Sequence, residues 1–414
     1  MSKPLAGYTV VEMSTFVAGP VTARLLADLG ATVIKVERPE GDAWRETGIS
    51  YLPHRFSHEE NPVFDIYNAG KQHIALNVKN PEGMAVLMKL LEKADVFVTN
   101  TRPGALKRLG LDYESLKERF PKLVYAILLG YGEEGPDAAM PAFDTSAFWA
   151  RSGFLRDQAL RREDYAPVQP PYSMGDTVSG YLLMAEVCAA LLRREKTGTG
   201  DLVKSSLFHN SIFTMGTMAI TSQPPFGRVY PEERPGWSAP CGDYQCADGE
   251  WVFLSGYTPA QYPVLYKLIG REELAADPRF DTAAGRWNNR HAYYAIVKEA
   301  FLQKPSAYWL EGAKKLDLPM TRMGHYADLI TDPQAQANHY IEEVAFRSGR
   351  TAFMPTTPIE MESVGSVPTR TAPGIGADTA QILKDLGYTQ QEIHTMTVDG
   401  AIRTANGKDG QYEH

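Results

Sequence analysis

The sequence has few cysteines and no recognisable metal-binding pattern. Cys188, Cys241 and Cys246 are the only three among 414 residues, too few and too awkwardly spaced for a disulfide framework or a four-ligand zinc site. The nine histidines show no metal-like pairing. We therefore expect a reduced, cytoplasmic protein without a structural metal.

Long apolar runs and an excess of basic charge are also lacking. We expect no stretch to approach the roughly 20 apolar residues that cross a bilayer, and hence no membrane partner. Residues 1–7 lack the apolar core of a signal peptide. The formal net charge of −8 argues against nonspecific nucleic-acid binding, which needs a broad basic surface. Basic residues would have to be gathered locally to bind an anionic ligand.

The chain has the composition of a globular protein, with 43% hydrophobic and 22% charged residues. Its N-terminal part alternates strands rich in β-branched residues with helical segments, which predicts a doubly wound α/β fold with a parallel sheet. The loop after the first strand contains Gly19 alone, so it does not match the dinucleotide-binding fingerprint. The predicted strands are 8–13, 32–37, 74–76, 94–99 and 123–129.

The length and a change in composition predict more than one domain. Residues 1–221 are expected to form most of a large α/β domain, and residues 222–240, rich in proline, glycine and charge, a linker or loop. A smaller α+β domain is predicted over 241–328, where Asp248-Gly249 marks a β-hairpin. Residues 329–414 are expected to return to the large domain.

Asp176 lies at the predicted start of a long helix that ends near Gly198. This position leaves two roles open, because aspartate at a helix start commonly satisfies a backbone N–H as an N-cap. The other role is that of a reactive carboxylate. The residues predicted to form the buried face of the helix are Val178, Tyr181, Leu182, Ala185, Ala189 and Leu192.

Basic residues recur just beyond the predicted strand ends. Each of them is an ordinary solvated surface charge when taken singly. Together, at one edge of a parallel sheet, they could hold phosphate groups. They are Arg38, Lys79, Arg102 and Arg108.

The order of short motifs along the chain resembles the class III CoA-transferase family, which includes formyl-CoA, carnitine and phenyllactate transferases. The segment AFDTSAFWAR at 142–151 looks most like the branch that moves CoA onto aromatic or branched 2-hydroxy acids. Among the other matching motifs are TFVAGP at 15–20, VIKVER at 33–38, PGAL at 103–106, GYG at 130–132, Gly175-Asp176 with Gly180, and KTGTG at 196–200.

The resemblance implies acyl-CoA and a carboxylic acid as substrates, no tightly bound cofactor, and an interlocked homodimer. It places the catalytic carboxylate at Asp176 and a tyrosine near the active site at Tyr131. Leu129 departs from members that carry a lysine there, and the 232–239 loop has one glycine, Gly236, where the formyl-CoA branch has a glycine-rich lid. The implied CoA contacts are Val17 and Ala18 through their backbone, Arg38, Lys79, Asn100 and Arg108.

In this chemistry Asp176 attacks the thioester, forming an aspartyl–acyl anhydride and then an aspartyl–CoA thioester. We expect the helix start to favour the ionised form of Asp176. The N–H groups near Val17 and Ala18 are expected to stabilise oxyanions. The loop around Gly236 is a candidate cover that excludes water.

Two other functions remain as alternatives. An α-methylacyl-CoA racemase shares the fold and the aspartate but needs a second base. It carries a histidine just before the residue matching Asp144, where this chain has Phe143. A noncatalytic CoA-binding protein is the other alternative. The aromatic residues of this region could line an acyl pocket or simply fill the core; they are Phe143, Phe148, Trp149 and Tyr172.

Overall fold

The computed structural model describes residues 3–48, 61–159, 166–232, 240–256 and 258–405. The chain forms two compact units. The first comprises Met1–Phe154, Pro170–Ile220 and Pro333–His414, and the second comprises Leu155–Gln169 and Thr221–Asp332. The second unit thus includes the predicted small domain, residues 241–328, together with flanking segments.

The strands are β1 Thr9–Met13, β2 Thr32–Glu37, β3 Gln72–Leu76, β4 Val96–Thr99, β5 Val124–Leu129, β6 Asp201–Ser206, β7 Gly242–Gln245, β8 Trp251–Leu254, β9 Met320–Arg322, β10 Ile341–Ala345, β11 Thr351–Pro355 and β12 Ile402–Arg403. The α-helices are α1 Ala18–Asp28, α2 Trp44–Thr47, α3 Pro62–Asn68, α4 Pro81–Lys93, α5 Pro103–Leu109, α6 Tyr113–Leu116, α7 Phe154–Asp157, α8 Met174–Thr197, α9 Leu207–Thr214, α10 Gly216–Thr221, α11 Gln261–Leu268, α12 Ala283–Asn288, α13 Arg290–Phe301, α14 Ser306–Lys315, α15 Pro333–Ala337, α16 Thr379–Asp385 and α17 Gln390–Val398. A π-helical segment covers Asp144–Ala150, and two 3₁₀ segments cover Glu272–Ala275 and Tyr326–Ile330.

The first unit is built on a seven-stranded sheet in the order β12-β3-β2-β1-β4-β5-β6. Neighbouring strands from β3 to β6 pair in parallel, and only β12 is antiparallel, on β3. The predicted doubly wound α/β fold is therefore confirmed. The strand order reverses between β1 and β4, where such sheets open a crevice at their carboxyl ends and bind ligands.

Strand β6 was not predicted from the sequence. Its residues, DLVKSS, are mostly polar, and it pairs only with β5 at one edge of the sheet. The hydrophobic run that marks a central parallel strand, such as the fully buried VYAILL of β5, is missing there.

Helix α8 buries a different face from the one predicted. Tyr181, Leu182 and Leu192 are exposed, whereas the buried positions include small residues such as Gly180. An ideal Cβ at Gly180 would lie only 2.7 Å from Val21 Cβ. The prediction is wrong because close packing on α1 requires small side chains rather than large apolar ones.

The expectation that no apolar stretch could cross a bilayer is also wrong for α8. This 24-residue helix is long and apolar enough to do so by length and composition alone. A core helix meets the same criterion, and one face of α8 is buried against the first unit.

The second unit contains a three-stranded sheet in the order β7-β8-β9. Strands β7 and β8 pair antiparallel on either side of the predicted Asp248-Gly249 turn, where Gly249 has φ 84°. Its core is rich in aromatic side chains, and the rings of Tyr244 and Phe301 stack with centroids 4.8 Å apart. The hairpin prediction is confirmed.

Candidate active site

The loop after β1 lies at the point where the strand order reverses. Strands β1 and β4 end side by side, with Met13 opposite Thr99. Just beyond them, the Thr15 N–H donates to Asn100 Oδ1 at 3.0 Å, and Asn100 Nδ2 donates to the Thr15 carbonyl at 2.7 Å. The predicted site residue Asn100 thus fixes the loop that carries Val17 and Ala18.

Helix α1 begins in this loop with an open N-terminus. Val17 is its N-cap residue, and no side chain caps the helix within the described part of the chain. The first N–H groups of a helix have no partner inside the helix, so those of Ala18 and Gly19 remain available, whereas Pro20 has none. Such an N-terminus suits an anion or a developing oxyanion.

Close packing brings the start of α8 next to α1. An ideal Cβ at Gly180 would lie 2.8 Å from the Ala18 carbonyl oxygen. Thr22 Oγ1 also donates to the Gly180 carbonyl at 3.1 Å. Asp176 lies one helical turn before Gly180, so its turn of α8 is held near Val17 and Ala18.

The N-terminus of α8 is capped by Asp144 rather than by Asp176. The Asp176 N–H donates to Asp144 Oδ1 at 2.9 Å, and Trp149 Nε1 donates to Asp144 Oδ2 at 3.1 Å. The N–H groups of Gly175 and Ser173 also support this carboxylate. Asp144 approaches so closely that a Cβ at Gly175 would lie 2.5 Å from its Oδ1. The N-cap interpretation of Asp176 is therefore wrong.

The side chain of Asp176 is left without hydrogen-bond donors among the described residues. Burial of its carboxyl group, and the nearby negative charge of Asp144, raise the pKa of Asp176 to about 8. We expected the helix start to favour the anion, and this expectation is wrong because burial and the charge of Asp144 both favour the protonated form. When ionised, the carboxylate retains its lone pairs for reaction.

Tyr67 of α3 lies beside the same turn and was missed by the sequence analysis. Its hydroxyl interacts with the side chains of Ser173 and Thr177 and lies within the electrostatic influence of Asp176. Burial raises the pKa of Tyr67, so it remains a neutral phenol. No sequence pattern connects α3 with α8, because the contact spans more than 100 residues.

A fully buried cluster of charged side chains holds the loop that follows β1. Lys35 Nζ donates to Glu12 Oε1 and to the Ser14 carbonyl, both at 3.0 Å, and lies 2.9 Å from Asp42 Oδ2. Although burial opposes it, Lys35 and Lys71 lower the pKa of Glu12 to about 2. Charged residues inside apolar parallel strands were a usable signal, since such strands are buried on both faces.

Basic side chains line the carboxyl edge of the sheet, as predicted. Arg38 follows β2 and Lys79 follows β3, two neighbouring strands, and both residues are exposed. Arg108 is exposed near the end of α5, but Nη1 of its guanidinium lies 3.7 Å from an ideal Cβ on Gly104, so it points back towards the start of the helix. In the described part of the chain, none of the three side chains has a hydrogen bond or ion pair.

Tyr131 lies at the end of β5 and belongs to a separate aromatic group. Its ring is 6.1 Å from that of Phe208, and the Arg151 guanidinium stacks 5.3 Å from the Tyr131 ring centre. Leu129, the residue that departs from the lysine of some relatives, is buried.

The four aromatic residues near Asp144 divide into two pairs. Phe148 and Trp149 are 1% and 4% exposed and fill the core, whereas Phe143 and Tyr172 are 55% and 63% exposed. The predicted cover around Gly236 lies at 233–239, outside the described residues. No group of three or more histidine, cysteine, aspartate or glutamate side chains that could hold a metal was found in the described segments.

The first unit combines a helix N-terminus without a side-chain cap, basic residues that follow neighbouring strands and a carboxylate whose pKa is raised by burial, an arrangement typical of an α/β enzyme that handles anionic acyl carriers. The model of CoA-transferase family III matches residues 5–379, and the chain belongs to this family. The resemblance inferred from the motifs is thus confirmed, and the protein is a CoA-transferase.

Two relatives align along nearly their whole length. The (R)-2-hydroxy-4-methylpentanoate CoA-transferase of Clostridioides difficile is 36% identical over 401 residues, covering 96% of this chain and 99% of the relative. The cinnamoyl-CoA:phenyllactate CoA-transferase of Clostridium sporogenes is 34% identical over 410 residues, covering 97% and 98%.

Solved structures show the same fold. The orthorhombic crystal structure of Rv3272 from M. tuberculosis has a TM-score of 0.80 at 28% identity, covering 92% of this chain and 99% of that one. A CAIB/BAIF family protein from Brucella suis has a TM-score of 0.78 at 28% identity, covering 93% and 100%.

Proposed function

We propose that the protein transfers CoA from an acyl-CoA to a 2-hydroxy acid with a branched or aromatic side chain, and that Asp176 is the nucleophile. The observation that carries this proposal is the free carboxylate of Asp176, whose backbone N–H is fixed by Asp144 at 2.9 Å. The names of the two relatives support 2-hydroxy acids as acceptors, including (R)-2-hydroxy-4-methylpentanoate.

The reaction balances without ATP or water. The Asp176 carboxylate attacks the thioester carbonyl, the C–S bond breaks, and CoA thiolate leaves an aspartyl–acyl anhydride. The thiolate then attacks the aspartyl carbonyl, releases the donor acid and forms an aspartyl–CoA thioester. The acceptor carboxylate displaces the thiolate from this thioester, and the thiolate attacks the acceptor acyl carbon, which regenerates Asp176. Covalent catalysis of this kind divides one difficult transfer into easier steps.

The electrostatics of the site fit a nucleophile. A carboxylate whose pKa is raised to about 8 is more basic than an ordinary aspartate, and more basic oxygens are in general better nucleophiles. Each attack also puts negative charge on a carbonyl oxygen. The uncapped N–H groups of Ala18 and Gly19 lie on the neighbouring helix start, where they can stabilise this charge.

CoA phosphates would bind at the basic edge formed by Arg38, Lys79 and Arg108. Replacing one such cation by alanine should weaken CoA binding about 5- to 20-fold, as expected for a lost charge-assisted contact. Lys93→Ala is the matched control. Lys93 ends α4 just before the start of β4, and therefore lies near the amino ends of the strands rather than the carboxyl ends. Calorimetry with CoA measures both, and equal affinities for Arg38→Ala and Lys93→Ala would remove Arg38 from the site.

Racemisation is less consistent with the site because it requires a second base facing the α-carbon. Phe143 occupies the position of the racemase histidine, and Asp144 is engaged with backbone N–H groups. Incubating one enantiomer of a 2-methylacyl-CoA in deuterated water without an acceptor acid distinguishes the two reactions. We expect no deuterium at the α-carbon, and its incorporation would favour the racemase.

The nucleophile is tested by trapping. Acyl-CoA with hydroxylamine should convert Asp176 to a hydroxamate, a mass change on one peptide that Asp176→Asn must abolish together with transfer. CoA binding should survive in that variant. Unmodified Asp176 in an active enzyme would refute the mechanism, and a chain that binds CoA but transfers nothing would be a noncatalytic binder.

We also propose that the protein is a homodimer. Helices α8, α9 and α10 expose several large apolar side chains, and exposed apolar patches mark interaction surfaces. Multi-angle light scattering should give twice the chain mass for the native protein and one chain mass for Phe213→Glu. A native monomer that sediments with lipid vesicles would indicate a membrane surface instead. The exposed residues are Tyr181, Leu182, Leu192, Ile212, Phe213 and Ile220.

A further inference from the structure

We propose that Phe16 and Phe143 form an apolar wall beside Asp176 that receives the acyl side chain and selects apolar acyl groups over charged ones. This inference rests on the proposed function, because it assigns the specificity of the same site. It is carried by the backbone of Phe16, the pairing of the two rings and the exposure of Phe143.

Phe16 has a strained backbone. Its φ of 64° lies in the left-handed region, which a bulky side chain rarely adopts because the conformation is energetically unfavourable. Asp42 Oδ1 holds this conformation by accepting the Phe16 N–H at 3.2 Å, while Lys35 is 2.9 Å from Asp42 Oδ2. Strain that is maintained by a buried ion pair is typical of ligand-binding positions.

The conformation turns the Phe16 ring towards Phe143. The two rings meet edge to face with centroids 5.3 Å apart. The Phe16 ring also contacts the Trp44 ring, with centroids 5.9 Å apart. Phe143 nevertheless remains 55% exposed. A phenyl ring that is fixed at one edge and open at its other surfaces can bind an apolar group.

Both rings are attached directly to the elements that hold Asp176. Phe143 precedes Asp144, whose Oδ1 accepts the Asp176 N–H at 2.9 Å, and its own N–H donates to Ser146 Oγ at 3.0 Å. Phe16 precedes Val17, at the start of the helix packed against α8. The two rings are therefore anchored next to the residues that position Asp176, and we expect the substituents of an acyl group joined to Asp176 to reach them.

The wall has no cation among the residues that form it. Phe16 packs on the cluster of Val17, Val21, Leu25, Trp44, Phe64 and Ala372. An acyl chain with a second carboxylate would lose hydration there without gaining a partner. A branched aliphatic or aromatic side chain would instead gain from leaving water.

The test compares binding and transfer in Phe143 variants. In Asp176→Asn, calorimetry should show 4-methylpentanoyl-CoA binding tighter than acetyl-CoA, and adding Phe143→Ala should reduce this ratio by roughly tenfold. Phe143→Leu should restore part of it. Tyr326→Ala, which removes a 91% exposed aromatic residue of the second unit, is the control and should leave the ratio unchanged.

Transfer is measured with 2-hydroxy-4-methylpentanoate and 2-hydroxypropanoate as acceptors. In Phe143→Ala the kcat/KM ratio of the larger to the smaller acid should fall by roughly tenfold. Equal losses for both acids, together with an unchanged affinity ratio, would show that Phe143 only supports the fold and would overturn the inference. If neither acid is an acceptor, the proposed function fails, while the affinity ratio still tests the wall.

Discussion

The Asp176 N–H donates to the side chain of Asp144 at 2.9 Å, so one carboxylate caps the helix on which the other is carried. This arrangement separates two roles that one aspartate at a helix start could have filled. Asp144 is 6% exposed and engaged by backbone and Trp149 donors. Asp176 keeps its oxygens free, at the cost of a raised pKa.

The pH dependence of catalysis should report Asp176. Burial and Asp144 raise its pKa to about 8, so the carboxyl group of the free enzyme is protonated at lower pH and becomes nucleophilic as the pH rises. We expect kcat/KM for acyl-CoA to increase tenfold per pH unit below this value and to level above it. A profile that is flat from pH 5 to 9 would contradict a titrating nucleophile.

Asp144→Asn should lower the apparent pKa of that profile. The substitution removes the negative charge that disfavours the ionised form of Asp176, although asparagine offers one acceptor oxygen where Asp144 uses two, and the lost hydrogen bond should cost about 1 kcal/mol of stability. Asp112→Asn is the matched control, because Asp112 caps α6 by accepting the Ser115 N–H. It should lose similar stability and leave the pH profile unmoved.

Asp176→Asn should stabilise the protein at alkaline pH while abolishing transfer. The pKa of Asp176 rises from 3.8 in the unfolded chain to about 8 in the folded one, so the folded state binds the proton more tightly. Its contribution is fully present below pH 4 and is lost as the pH rises through 8. Urea unfolding should show nearly equal stabilities at pH 4 and an advantage on the order of 5 kcal/mol for the variant at pH 8, since each pKa unit corresponds to about 1.4 kcal/mol. The same difference at both pH values would exclude linkage to this carboxyl group.

Lys35→Met should strongly destabilise the first unit. The methionine fills similar volume but leaves Glu12 and Asp42 buried without their shared cation, which typically costs about 3–5 kcal/mol. Lys315→Met removes an exposed lysine paired with Glu311 and should change the free energy of unfolding by less than about 0.5 kcal/mol. Equal effects of the two substitutions on urea unfolding would show that the buried cluster is dispensable.

Gly180→Ala should separate α1 from α8. The added Cβ would lie 2.7 Å from Val21 Cβ and 2.8 Å from the Ala18 carbonyl oxygen, which should cost about 1–3 kcal/mol and reduce kcat. At Gly216, the first residue of α10, a Cβ would meet no atom within 4 Å. Gly216→Ala should therefore leave the thermal midpoint and kcat unchanged, and a Gly180→Ala enzyme that matched it would argue against close packing at this crossing.

Local sequence patterns predicted the helices and strands that follow a simple pattern of buried residues. β2 was predicted over 32–37 and is found at Thr32–Glu37, because four of its six residues are β-branched. The end of α8 was also predicted, because a glycine commonly ends a helix. Gly198 adopts the left-handed φ of 73° that this position requires. Strand β6 was not predicted, because an edge strand tolerates polar residues and so lacks the hydrophobic run of a central strand.

The site could be predicted only in part. Motifs located Asp176 and the basic sheet edge, but the bond from Asp176 to Asp144 spans 32 residues and leaves no periodic trace. The buried face of α8 was assigned wrongly because large apolar side chains were expected to be the buried ones. Close contact with α1 instead requires a residue without a side chain at Gly180. The positive φ of Phe16 could not be predicted either, because phenylalanine rarely adopts this conformation.

The antiparallel strand β12 closes the sheet beside β3, and this has a consequence for how the chain is made. Ile382, Leu383 and Ile402 share one core with Val11 and Phe97, so the ribosome must have synthesised the chain through residue 402 before the first unit can complete its interior. Most of the second unit emerges earlier as the continuous stretch Thr221–Asp332. We expect nascent chains stalled before residue 379 to protect that stretch from protease first, so that the part synthesised in the middle is the first to fold.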